Sequence, residues 1–210
     1  MAVSRASESN WNPVGPRLSL GVVAGWGLTR DYSDASYPLQ TIVAVPQEGG
    51  VFTYMPVSAT QYVTGLRSMI AGPSLEIHWN PHLSVELDAL HKPLRSRFLT
   101  ILDNGVRSDE LTSTAAATWQ FPVLAKYRVS WGKVDTFVEA GPSFRLPQWD
   151  LSTHGLTAGV GIELQLHALK VSPAIRFTHW GPETGFGSSG ISRNEASVLV
   201  GLFFGGKRLP

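Results

Sequence analysis

The feature that most constrains this chain is a period of two. Apolar residues recur at every second position in run after run, with small or polar residues between them, and helical spacing is hard to find anywhere. A period of two belongs to β-strands whose two faces meet different surroundings, so the pattern points to an all-β fold. The runs cover 18–28, 69–79, 83–89, 119–131, 134–142, 156–166, 169–177 and 196–204. The clearest sets Trp119, Phe121, Val123, Ala125, Tyr127, Val129 and Trp131 against Gln120, Pro122, Leu124, Lys126, Arg128 and Ser130.

These runs make about eight strands, and their connections alternate in length. Asn80-Pro81, Gly132-Lys133 and His167-Ala168 read as tight turns, whereas 31–65, 93–118, 147–153 and 181–194 read as loops. The first loop holds a possible hairpin of its own, 41–45 against 51–55. Tight turns at one end and longer loops at the other are the plan of an eight-stranded antiparallel up-and-down transmembrane β-barrel, with short periplasmic turns and longer extracellular loops. Pro73, Pro122, Pro142 and Pro173 fall inside strands, where each removes a ladder donor, and are read as bulges or kinks.

Three features place the apolar face outside. The polar face is rich in glycine (Gly21, Gly25, Gly27, Gly72, Gly141, Gly159, Gly161, Gly201), which suits a narrow interior filled by side chains. Aromatics sit at the ends of apolar runs, and Trp79, Trp119, Phe121, Tyr127, Trp131 and Phe204 are the expected lipid-interface belt. Charges of both signs share the polar face. Arg17, Glu76, Glu86, Asp88, Lys126, Arg128, Asp135, Glu139, Arg145, Glu163, Lys170 and Arg176 are expected to form a paired network in the lumen, with Glu139 meeting Lys126 or Arg128.

Composition agrees. Charged residues make up 16% of the chain, against about 25% in ordinary soluble domains. A net charge of +1 does not suit electrostatic binding of nucleic acid. The absence of cysteine excludes a disulfide scaffold, a thiolate metal site and a cysteine nucleophile. Residues 1–15 read as a flexible arm without the apolar stretch of a signal peptide, 16–204 as the barrel and 205–210 as a tail.

Trp119 to Arg128, Phe137-Val138-Glu139-Ala140-Gly141-Pro142-Ser143-Phe144-Arg145, Ser172-Pro173-Ala174-Ile175-Arg176-Phe177-Thr178-His179-Trp180 and the final Val200-Gly201-Leu202-Phe203-Phe204 are similar to the bacterial outer membrane protein β-barrel domain family. The resemblance runs from about Arg17 to Phe204 and implies a small OmpA/OmpX-like barrel in the bacterial outer membrane. Its motifs are structural and imply no activity.

Candidate chemistry is sparse. One lipid A deacylase family on such barrels uses a Ser-His-Glu set on its outer wall, with the Ser two residues after the His in a His-x-Ser-Asn motif. Here His179 is followed by Trp180-Gly181-Pro182, and Glu183 and Ser188 are loop residues, so the nucleophile of that motif is missing. His78, His82, His91, His154, His167 and His179 show no ligand spacing, so neither a metal nor a cofactor is expected. Tyr32, Tyr37, Tyr54, Tyr62, Phe98 and Phe186 give the loops a composition that can support recognition.

The expectation is a monomeric, non-enzymatic barrel in contact with membrane lipid and lipopolysaccharide. Its lumen is filled, its role is structural or surface-interacting, and 31–65 and 93–118 are its contact loops. The alternatives are a narrow porin-like channel for ions or small solutes, a lipid-modifying barrel enzyme, and a soluble ligand-binding barrel with its apolar face inward.

Overall fold

Each alternating run becomes a strand because the two sides of its backbone face different media. The computed structural model describes residues 17–32, 34–47, 50, 52–102, 107–131, 134–146, 152–166, 169–182 and 192–208. The arm at 1–15, the turns Gly132-Lys133 and His167-Ala168, and most of the connections 147–153 and 181–194 lie outside the described residues. The strands are β1 (Arg17–Gly27), β2 (Ala35–Pro46), β3 (Phe52–Gly65), β4 (Met69–His78), β5 (Leu83–Asp88), β6 (Leu90–Leu102), β7 (Arg107–Trp131), β8 (Val134–Arg145), β9 (His154–Leu166), β10 (Leu169–Trp180) and β11 (Asn194–Arg208).

The sheet closes. Going round, β1 pairs with β4, β4 with both β5 and β6, these with β7, and β7 through β8, β9 and β10 to β11, which returns to β1. All these pairings are antiparallel, and no helix occurs among the described residues. β5 and β6 form a single stave interrupted at Ala89, whose N–H donates to the Pro73 carbonyl at 3.0 Å. The result is an eight-staved barrel. Arg17 pairs with Arg208, so the two ends of the barrel sequence meet at the mouth where the tight turns lie.

The prolines coincide with breaks in the ladder. Pairing between β7 and β8 lapses, with the register unchanged, between Pro122/Ser143 and Ala125/Ala140, where Pro142 stands. Between β9 and β10 it lapses from Val171/Leu164 to Ala174/Gly161, where Pro173 stands.

Outside, Leu20 (61% exposed), Val22, Trp26, Leu156, Val160 and Ile175 form an apolar wall. Inside, Val23, Ile70, Leu90, Leu199 and Phe203 pack on one another as an apolar cluster of the lumen. Glycine clears space for large inward side chains. A methyl at Gly159 would stand 2.7 Å from Glu139 Oε1 and 3.0 Å from Arg176 Cγ, one at Gly161 would enter the Phe137 ring, and one at Gly21 the Phe203 ring.

The structure corrects three boundaries. The segment 93–118 is not a loop, because β6 continues to Leu102 and β7 begins at Arg107, pairing along their length through bulges at Leu94/Arg95 and Thr100/Ile101. The hairpin inside 31–65 is longer than expected, and β3 docks on the far half of β6. These segments form a four-stranded sheet, β2-β3-β6-β7, that projects past the loop end of the barrel. At the other end β11 runs beyond Phe204 to Arg208, so part of the expected tail is strand. Gly205, at φ +114°, sits where the register shifts between Leu18 and Ser19, a left-handed conformation that favours glycine.

Candidate functional site

Because inward positions recur at every second residue, charges on neighbouring staves meet in the lumen in two separate clusters. The inner cluster lies toward the turn end. Arg176 of β10 reaches Asp88 and Glu86 of β5 with its two Nη atoms, both at 2.5 Å, and Glu139 of β8 with Nε at 2.6 Å. Arg128 of β7 donates to Glu163 of β9 at 2.7 Å and to Glu76 of β4. Lys126 pairs with Glu86 and lies 3.5 Å from Glu163, while Lys170 joins Glu76 and sits 3.4 Å from Glu163. Ser84 donates to Glu76 at 2.8 Å. Four cations and five carboxylates are thus cross-linked from six staves, all but Lys170 buried.

Phe137 and Phe203 wall this cluster. The Lys126 ammonium is 4.3 Å from the centre of the Phe137 ring, and that of Lys170 is 4.6 Å from the Phe203 ring. Apolar walls lower the local dielectric, so each charge is tolerable only while its partners remain.

The outer cluster, near the loop end, turns on Lys92 of β6. Its ammonium lies 3.0 Å from Asp31 and 3.1 Å from Glu195, and Gln120 donates to Glu195 at 3.0 Å. Asp31, in the connection after β1, also accepts from the Ser68 hydroxyl and from the Arg95 N–H at 3.1 Å. Its own N–H donates to the Leu66 carbonyl at 3.1 Å, and its carbonyl accepts from the Ser192 N–H at 3.0 Å. One residue therefore ties together β6, the β3–β4 connection and the segment before β11.

Between the clusters lies a cavity of about 20 Å³ open to the centre of a water molecule. Ser143, Thr157 and Thr178 line it as a chain of hydroxyls, 2.5 Å and 2.7 Å apart. Ile70, Leu90 and Leu199 line it too, with Arg176 and Glu195, one from each cluster.

Nine of the twelve charges expected in the lumen (Glu76, Glu86, Asp88, Lys126, Arg128, Glu139, Glu163, Lys170 and Arg176) meet in the inner cluster. The other three do not. Arg17 has the inward register but sits exposed at the mouth, where strand β1 begins. Asp135 is half-buried at the turn end and joins neither cluster. Arg145 is buried near the loop end, where its guanidinium stacks 4.3 Å over Trp180 and donates to the Ser152 carbonyl. Glu139 has Arg176 as its close partner, with Lys126 at 3.9 Å. Lys92, Asp31 and Glu195 were missed.

Of the expected belt, Trp79, Trp119, Tyr127 and Phe204 are exposed on the outer wall, and Phe121 is half-buried. The side chain of Trp131 lies outside the described residues. The structure adds Trp26 and Phe144 at the loop end. The His179 Nδ1–H donates to Asn194 Oδ1 at 2.7 Å on the exposed surface, and Trp119 meets His91 edge-on at 5.2 Å. On the projecting sheet, Ile42, Phe52, Tyr54 and Met55 are exposed, Tyr54 by 70%.

No protein-family model matches the chain, and no curated protein matches it. Among solved structures, it is similar to the outer membrane protein OprG from Pseudomonas aeruginosa, with 12% identity and a TM-score of 0.44, covering 91% of this chain and 94% of that one. It is also similar to the translocator domain of autotransporter NalP from Neisseria meningitidis, with 13% identity and a TM-score of 0.34, covering 93% of this chain and 90% of that one.

Proposed function

We propose that the protein is an integral barrel of the bacterial outer membrane, of the small OmpA/OmpX kind, with a side-chain-filled lumen and a structural and surface-interaction role. The observation that carries this reading is the inversion of the barrel. Its outer wall is apolar from Leu20 to Leu202, while its interior holds the charges. A soluble ligand-carrying barrel has the opposite arrangement.

The dimensions fit. Outward positions from Trp119 to Val129 cover about 33 Å of strand, which a tilt of about 45° reduces to about 23 Å, close to the roughly 25 Å apolar band of outer-membrane barrels. Trp26, Trp119 and Phe144 mark one edge of that band and Trp79, Tyr127 and Phe204 the other, as interfacial aromatics do. Lipid and lipopolysaccharide cover the wall of a single copy. The projecting β2-β3-β6-β7 sheet, with its exposed Ile42, Phe52, Tyr54 and Met55, is the contact surface.

The test is electrophoretic mobility of the detergent-extracted protein, boiled against unboiled, beside a detergent-free preparation. A heat-dependent shift together with strict detergent dependence is the expected result. A detergent-free soluble monomer without a shift would overturn the reading.

A further inference from the structure

We propose that the lumen is a passage closed by two seals in series, with a water-holding chamber between them. The inference rests on the membrane-barrel reading and adds which residues close the lumen and where water stands inside it.

The chamber is the cavity bounded by Arg176 on the inner side and Glu195 on the outer. Its volume of about 20 Å³ for a water centre exceeds the roughly 10–15 Å³ that one water needs, and polar partners are present on several sides. The hydroxyl chain Ser143–Thr157–Thr178 forms one wall. Trp180, 1% exposed, also lines it, and its indole N–H has no partner among the described residues. A buried donor without a partner is costly, and water in the chamber supplies what the protein does not.

The seals differ in construction. The inner one is built wholly from strand residues, and four of its five carboxylates, all but Asp88, face more than one cation. The outer one is a single ammonium, Lys92, between Asp31 and Glu195. Either alone blocks the lumen when the other is opened.

The chain has no cysteine, so Ser197→Cys puts a lone thiol on the chamber wall, where Ser197 stands now. The reagent is a small cationic methanethiosulfonate, applied to detergent-folded protein whose mobility shift has first been verified. The outer seal is opened with Lys92→Ala together with Glu195→Ala, which removes one charge of each sign and leaves Asp31 its bonds to Ser68 and the Arg95 N–H. Where that pair does not fold, Lys92→Ala alone serves, since Asp31 keeps Ser68 and the Arg95 N–H and Glu195 keeps Gln120.

With both seals intact the thiol reacts slowly. With the outer seal opened it reacts faster by about tenfold or more, because access no longer waits on a local opening. Single-channel conductance in planar bilayers stays at the unaltered level in both, because the inner seal still stands. Equal labelling rates with and without the outer seal, fast labelling in the unaltered background, or new conductance from opening the outer seal alone would each overturn the two-seal arrangement. None of these touches the membrane reading, which fails in the mobility assay instead.

Discussion

The inner and outer clusters use the same chemistry with different redundancy. Every carboxylate of the inner cluster belongs to a strand, and most touch more than one cation. In the outer cluster one lysine holds two carboxylates, and one of those comes from a connection. Yet both outer carboxylates have neutral donors of their own, Ser68 and the Arg95 N–H for Asp31 and Gln120 for Glu195. The inner cluster is therefore cooperative in charge, and the outer one is insured by hydrogen bonds. That contrast predicts which losses the fold tolerates.

The largest effect is expected from Arg176→Met. It strips the shared cation from Asp88, Glu86 and Glu139, and orphaning buried partners typically costs about 3–5 kcal/mol. Urea unfolding in lipid vesicles measures it, and a loss no greater than that of an outer-cluster variant would erase the contrast. Lys92→Met comes next, at about 2–3 kcal/mol, because the neutral donors remain on both carboxylates. Gly161→Ala follows at about 1–2 kcal/mol, since its methyl meets the Phe137 ring that walls Lys126. The temperature at which the folded band disappears would rank these variants. Tyr54→Ser, on the projecting sheet, should stay within about 0.5 kcal/mol while weakening any contact made through that surface. A drop comparable to Gly161→Ala would mean that the sheet supports the barrel.

The inner cluster was legible in the sequence because strand parity assigns a face, and Glu76, Glu86, Lys126, Arg128, Glu139, Glu163 and Arg176 all stand on regular strands. Parity does not assign depth. Arg17 has the inward register yet reaches water at the mouth, and Asp135 stays at the turn end for the same reason. The outer cluster was hidden for two other reasons. Asp31 lies outside any strand, so no period marks it. Lys92 sits in a stretch, Leu90 to Ser96, where inward Leu90, Lys92, Leu94 and Ser96 face outward His91, Pro93 and Arg95. Polarity there does not separate the two faces, so the stave read as if it ended at Ala89. The same lack of contrast made β6 and β7 beyond the barrel look like a loop, although β-pairing needs only backbone partners once the hairpin is started.

One consequence follows from the length of β7. Its 25 residues run as one strand from the projecting sheet, through the bulges opposite Leu94/Arg95 and Thr100/Ile101, to the turn end of the barrel, about 80 Å in all. A pull on the sheet is thus carried along one strand, past Lys126 and Arg128, as shear across many backbone hydrogen bonds at once instead of opening them one at a time. Mechanically, what grips the sheet from outside grips the barrel wall.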